Sequence, residues 1–305
     1  MSEKLSLLRC CFYIYIYFQT FKIENKIKNE YNNIKNMDTL STKNKHPFDS
    51  RIKFQEEGHK YWIDGDSTGL ISVTTFIHTF FDKFDSDKII KSIINSKKYN
   101  DPSYIYYKKS AVDIKQKWDN ESKLVMNEGT KLHKDIENFY NTMETDGQVE
   151  IENDSIEFNH FLKFYEDHEE LEVYRTEWMI FSDILKITGS IDMVFMNKDG
   201  TITIADWKRS KLISYEAFGN KCGKYPLEHI PDCNYYHYSL QLNLYRVILE
   251  KFYNIQTNDM FLVILHPSNQ SYEKIPILRM DNEIELILNF RRKELIKRIQ
   301  MNLIL

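Results

Sequence analysis

The spacing of apolar positions changes character part-way along the chain. From Ser110 to Thr142, and again from Ser155 to Glu170, apolar residues recur at three- and four-residue intervals. That spacing predicts helices with one buried stripe, and Asp154 or Ser155 offers a side-chain oxygen to cap the second. After Glu172 the pattern changes: Val173 to Ile180, Leu185 to Met196 and Thr201 to Trp207 are rich in Ile, Val, Thr and aromatics, and predict a three-stranded antiparallel meander. Asn234 to Tyr253 reads as helix, Met260 to His266 as a short strand, Tyr272 to Leu278 as a last strand, and Asp281 to Gln300 as an amphipathic closing helix. Nearer the start, Lys60 to Ile63, a turn at Asp64-Gly65-Asp66, and Leu70 to Ile77 predict a strand pair running into a helix, with another helix over Asp85 to Tyr99. No internal repeat is visible. The order of elements predicts an α/β domain with a central mixed sheet flanked by helices, spanning residues 51–305, behind a leader at 1–50.

The hairpin from Gly189 to Lys208 carries the strongest chemical signal. Asn197-Lys198-Asp199-Gly200 suits a type I turn followed by a left-handed glycine, a three-residue loop that sets Asn197 opposite Thr201. Counting back in that register places Asp192 opposite Asp206, with Lys208 on the same face and the Trp207 side chain pointing away into packing. A two-residue loop would slip the pairing by one and set Asp192 against Trp207. Two carboxylates facing across a ladder repel unless a cation lies between them, and a hard divalent ion takes oxygen ligands of this kind. The Trp207 backbone carbonyl is a further candidate ligand. Lys208 then serves as a charge clamp on a phosphate or, with a lowered pKa, as a base.

Two helical pairs accompany the hairpin. His133 and Glu137 are four apart, so they share a helix face, and both are candidate metal ligands. Gly129, one turn earlier, costs a helix interior about 1 kcal/mol relative to Ala, which close packing or a backbone approach would explain. Gln241 and Tyr245 are likewise four apart, placed to hydrogen-bond or stack on a nucleotide.

Composition narrows the classes. The 305 residues carry 41 Lys and Arg against 45 Asp and Glu, a net charge of -4, which excludes a uniformly basic nucleic-acid coat but leaves room for a basic groove. Arg209 and Lys211, next to the hairpin, are the candidate phosphate contacts. Lys97-Lys98-Tyr99 and Tyr104 to Lys109 mix bases with aromatics as a nucleic-acid channel would. Four cysteines, two of them adjacent at Cys10 and Cys11, cannot build a secreted disulfide scaffold, so a reducing intracellular compartment, cytoplasmic or nuclear, is expected. Cys222 and Cys233 do not supply the ligand pairs of a zinc site or the thiolates of an iron-sulfur cluster, and neither cofactor is expected. The apolar run Leu5 to Phe21 is interrupted by Arg9 and Gln19 and is short for a span of roughly 20 residues, so no stable membrane association is expected.

Taken in order, Gly129-x-x-x-His133-x-x-x-Glu137, Gly189-x-x-Asp192, Asp206-x-Lys208 and Gln241-x-x-x-Tyr245 resemble the PD-(D/E)XK nuclease superfamily, nearest to its RecB-like branch of phage-type and mitochondrial genome-maintenance exonucleases. The resemblance implies a restriction-endonuclease-like core in which His133, Asp192 and Asp206 bind Mg²⁺ or Mn²⁺. Lys208 supports the attacking water, and Gln241 and Tyr245 organise the substrate. It implies a deoxyribonuclease of exonuclease character, with single-stranded DNA or duplex ends as partner, in replication, recombination or repair. The third acidic position is Asp206 where the family more often has Glu, and the cluster-binding cysteines of some relatives are missing. A nucleic-acid-binding module with a decayed site and an RNA-directed nuclease are the alternatives.

Overall fold

The protein is described by a computed structural model covering residues 39–146 and 151–302. The leader segment Leu5 to Phe21 lies outside the described residues. Among the described residues packing is already present at Leu40, earlier than the expected boundary at 51. Helix α1 (Leu40–Lys43) buries Leu40 completely, and the loop after it is tied to the sheet through Asn44 Nδ2 donating to Tyr174 O (2.7 Å) and Arg175 Nη1 donating to Asp49 Oδ2 (2.9 Å).

A two-stranded hairpin follows, β1 (Ile52–Gln55) with β2 (Lys60–Ile63). The partner of Lys60–Ile63 is therefore the segment before it, not the segment after the turn. Only Ile71–Ser72 (β3) of the expected second strand is extended. Ser72 Oγ accepts from Thr75 N (3.2 Å) and starts helix α2 (Val73–His78) at once. Helix α3 (Ser86–Ile94) is capped by Asp85 and ends in a 3₁₀ turn at Lys97–Asn100. Helix α4 (Ala111–Asp146) runs 36 residues, and α5 (Ile156–Asp167) starts under the predicted Ser155 cap, whose Oγ accepts from Phe158 N (3.2 Å).

Strands β4 (Glu172–Ser182), β5 (Ile187–Met196) and β6 (Ile202–Lys208) form the expected antiparallel meander. Helix α6 (Asn234–Ile248) continues into a π turn at Leu249–Tyr253, then β7 (Thr257–Ile264) runs parallel to β6, β8 (Glu273–Pro276) runs antiparallel to β7, and α7 (Asp281–Asn302) closes the chain. The result is a mixed six-stranded sheet with helices on both faces, as the α/β reading expects. Alternation along β6 sorts the layers: Ile202 and Ile204 face α2, α6 and α7, while Ala205 and Trp207 face α4 and α5. Trp207 packs edge-on against Phe161 and Phe164, ring centroids 5.6 and 5.5 Å away. Burying side chains of this size contributes about 1.5–3 kcal/mol each, and here it clamps the C-terminal end of β6 in place. Among the described residues no helix is long and apolar enough to cross a membrane.

The sheet has a gap on one side of β5. One edge of β5 is paired with β4 along its length. On the other edge β3 takes Ile187 and Thr188, and β6 takes Met193 to Met196. Among the described residues, Gly189 to Asp192 are left between them without a strand partner on that side.

Candidate functional site

The hairpin register decides where the carboxylates go. Asn197 N donates to Thr201 O (2.8 Å), Gly200 takes φ +81°, and the ladder runs from Met196↔Ile202 to Met193↔Ala205, the register expected from a three-residue loop. There the strands part. Asp192 Oδ2 accepts from Trp207 N at 3.0 Å, so its carboxylate lies in the plane of the sheet, within the gap, where a main-chain carbonyl would otherwise be. This corrects the expectation that both aspartates share one face. Asp206 alone turns toward α6, fully buried, where Oδ1 accepts from Gln241 Nε2 (3.2 Å). The Trp207 side chain packs away as alternation requires, and its amide makes the contact with Asp192.

A residue missed in the sequence completes the group. The β4–β5 ladder passes from Thr176↔Met193 to Trp178↔Ile191, leaving out the Glu177–Asp192 position between them. Glu177 sits there with φ +43°, a left-handed backbone inside a strand. Such a conformation costs a non-glycine residue about 1–3 kcal/mol and persists only where the surroundings enforce it. Its only sequence signal was an acid inside an otherwise strand-like run. His133, carried by α4, brings Nδ1 to 3.4 Å from Asp192 Oδ2 and 3.8 Å from Glu177 Oε1. One ligand atom from each of His133, Glu177 and Asp192 lies within 4.8 Å of the other two. Ser190 Oγ donates to the second Glu177 oxygen (3.0 Å) and holds its rotamer.

Glu137, the other helical candidate, does not join this group. Its Oε2 accepts from Lys134 Nζ (2.8 Å) on the wall of the cleft. Asp206, expected as a ligand beside Asp192, is outside the group too and is held by Lys208. Its Oδ2 makes an ion pair with Nζ rather than a well-aligned hydrogen bond. Lys208 Nζ also lies 4.8 Å from the Tyr238 ring centroid, a cation–π contact.

Charge and burial shape every protonation state here. Burial lowers His133, but the carboxylates of Asp192 and Glu177 outweigh it and push the imidazole up to about 9. Burial, opposed by His133 and reinforced by Glu177, holds the Asp192 carboxyl above its ordinary range. Burial and the charge of Asp192 push Asp206 up to about 6 despite Lys208. Burial lowers Lys208, yet Asp206 and Asp192 more than reverse this and raise it. The direction is opposite to the lowered pKa that a base would need.

Three further expectations change. Arg209 does not line an open groove: Nη2 pairs with Glu128 Oε2 (2.6 Å) and Nε with Glu157 Oε1 (2.7 Å), which consumes its charge within the protein. Lys211 is exposed. Tyr245 is only 3% exposed and cannot stack on a base; its hydroxyl accepts from Gln241 Nε2 (3.2 Å), and its ring packs over Gly189 of β5. Gly189 makes room for that ring, because a Cβ there would come within 2.6 Å of Tyr245 Cε1 and 3.3 Å of Val73 Cγ2. Gly189→Ala is accordingly expected to destabilise the fold by about 1–3 kcal/mol, read by urea titration, and pairing it with Tyr245→Leu should recover part of the loss. Gly129 has no such explanation inside the protein, since a Cβ there would meet nothing within 4 Å; it opens on the cleft of about 610 Å³ that His133 and Glu177 also line.

No family model matches this chain, and no curated protein matches it. Among solved structures, the crystal structure of SSO0001 is similar at 13% identity with a TM-score of 0.30, over 75% of this chain and 77% of that one.

Proposed function

We propose that the chain is a divalent-metal-dependent nuclease of the PD-(D/E)XK type, RecB-like branch, that hydrolyses DNA phosphodiester bonds with exonuclease character in replication, recombination or repair. The observation that carries this reading is the convergence of His133, Glu177 and Asp192 on one point beside the buried Asp206–Lys208 pair. The donor set fits the ion. Two carboxylates supply the hard oxygens that Mg²⁺ and Mn²⁺ take, and an imidazole nitrogen favours Mn²⁺. Facing acids, one of them on strained backbone, are costly by themselves and are relieved by a cation between them.

His133, Glu177 and Asp192 would hold the ion. When bound, it supplies Lewis-acid stabilisation to a phosphoryl oxygen and acidity to a water. The chain's own residues do the rest. The Trp207 amide fixes the Asp192 carboxylate in the gap, and Ser190 fixes that of Glu177. Gln241 orients Asp206, which in turn holds the Lys208 ammonium at the edge of the site. Because Lys208 stays protonated, its part is to balance charge that develops on the attacked phosphate, a preorganised electrostatic contribution rather than a proton transfer.

The test is hydrolysis of linear and circular DNA, single-stranded and duplex, with Mg²⁺ or Mn²⁺ and with EDTA. Metal-dependent loss of linear DNA while circles survive is the expected result. No hydrolysis of DNA in either metal sinks the reading, and cleavage of RNA alone would favour the RNA-directed alternative.

A further inference from the structure

The cleft in front of the site has a second wall that the chemistry above leaves unused. Phe54, His59 and Tyr61 of the β1–β2 hairpin line the same space of about 610 Å³ as His133, Glu177 and Ser190. That volume is in the range of cavities that accept one small ligand. Register explains why rings collect there. Ile52 pairs with Ile63 and Phe54 with Tyr61, so all four side chains share one face of the hairpin. Ile52, Tyr61 and Ile63 are buried against Phe181, whereas Phe54, nearest the turn, overhangs that cluster and stays half-buried. His59 follows Gly58 with both residues at positive φ, +48° and +80°. This bend sets the exposed His59 ring edge-on to Phe54, centroids 4.9 Å apart at 81°, and Phe54 leans on Tyr61 at 4.6 Å and 41°.

The His59 ring also stands edge-on to Tyr61, centroids 5.9 Å apart at 90°, yet it stays exposed, and surface edge contacts return only part of what a left-handed backbone costs. The bend has a clearer use if the rings receive something flat. The opposite wall holds two carboxylates and an imidazole and presents no aromatic face among its named residues, so the two walls divide the chemistry of a nucleotide between them: phosphate on one side, base on the other. An unpaired base has a free face for aromatic stacking, while a base within a duplex spends its faces on its neighbours.

We propose that Phe54 and His59 form a stacking platform for an unpaired nucleobase next to the phosphate under attack. This rests on the nuclease reading. The substrate strand approaches along the open side of α4 at Gly129, where the absence of a side chain leaves the cleft clear.

Two measurements test it separately from catalysis. Single-stranded oligonucleotides with 2-aminopurine at successive positions are titrated with the protein in EDTA, where nothing is hydrolysed. Quenching at one or two adjacent positions is expected with wild type, with none for a blunt duplex. Phe54→Leu keeps an apolar side chain of similar bulk for the hairpin but removes the flat face; it should abolish most of the quenching and weaken binding about 10-fold, within the range for one stacked base. His59→Ala should do so to a smaller extent, and unchanged melting of both variants shows that the hairpin has not simply unfolded. In Mn²⁺, the loss should fall on KM more than on kcat. Equal quenching in wild type and Phe54→Leu, or equal quenching by single strand and duplex, overturns the platform even if DNA is hydrolysed. Quenching that Phe54→Leu abolishes, in a protein that hydrolyses nothing, overturns the nuclease reading and leaves the platform standing.

Discussion

Glu177→Gln and Asp192→Asn are each expected to lower DNA hydrolysis by on the order of 10³-fold, the several kcal/mol that a bound cation lends to a charged transition state. The more diagnostic readout is thermal melting. Wild type should gain about 2.7 kcal/mol from Mn²⁺ at 100 times its dissociation constant, and both variants should lose most of that gain. Above about pH 9, where His133 is neutral, their metal-free stability should be unchanged or higher, since each removes one of two facing carboxylates. His133 sets the pH dependence. Its pKa is raised from 6.5 to about 9, so the stability it contributes in the metal-free protein is fully present below pH 6.5 and is lost as pH rises through about 9. Metal must displace that proton, so the Mn²⁺-induced gain should grow over the same interval in wild type and be nearly flat in His133→Ala. A pH-independent gain in wild type, or a full gain in Glu177→Gln, would show that the three residues do not hold a metal.

Lys208→Met should be the most destabilising single change at the site when no metal is present. It leaves Asp206 buried without its cation, and breaking a buried pair from one side costs about 3–5 kcal/mol. The sign of the pH effect follows from Asp206. Its folded pKa is raised to about 6 even with Lys208 present, and removing the ammonium raises it further. A raised carboxyl contributes stability that is present below its unfolded value, near 3.8, and lost as pH rises through the folded value. The deficit of Lys208→Met relative to wild type should therefore be largest at pH 7 and above and shrink toward pH 5. Chemical denaturation at several pH values measures it. A deficit that does not vary with pH would mean that the lysine contributes packing against Tyr238 and little charge.

The residues of the chain by themselves determined most of the secondary structure and part of the site. Period and cap residues specified α5 down to its Ser155 cap, and the Asn197–Gly200 turn set the β5–β6 register, because both are local: the information lies within a few residues of the element it fixes. The same locality brought out His133, Asp192, Asp206 and Lys208 as chemical candidates. What stood on long-range contact was not legible. Lys60–Ile63 could pair with either neighbouring segment, and packing of Ile52 and Ile63 against Phe181 selects the earlier one. Arg209 reads as a free base until Glu128 and Glu157 arrive from α4 and the start of α5, and Tyr245 reads as available until its ring packs over Gly189. Glu177 is the sharpest case. In the sequence it is one acid in a strand, and only the tertiary structure sets it across from Asp192, bends its backbone to φ +43° and brings His133 to it from another layer. Side-chain chemistry is written residue by residue, whereas convergence requires a helix and two strands to be held at one point, and that is decided by the packing of α4 against β4 and β5 at the opening in the sheet.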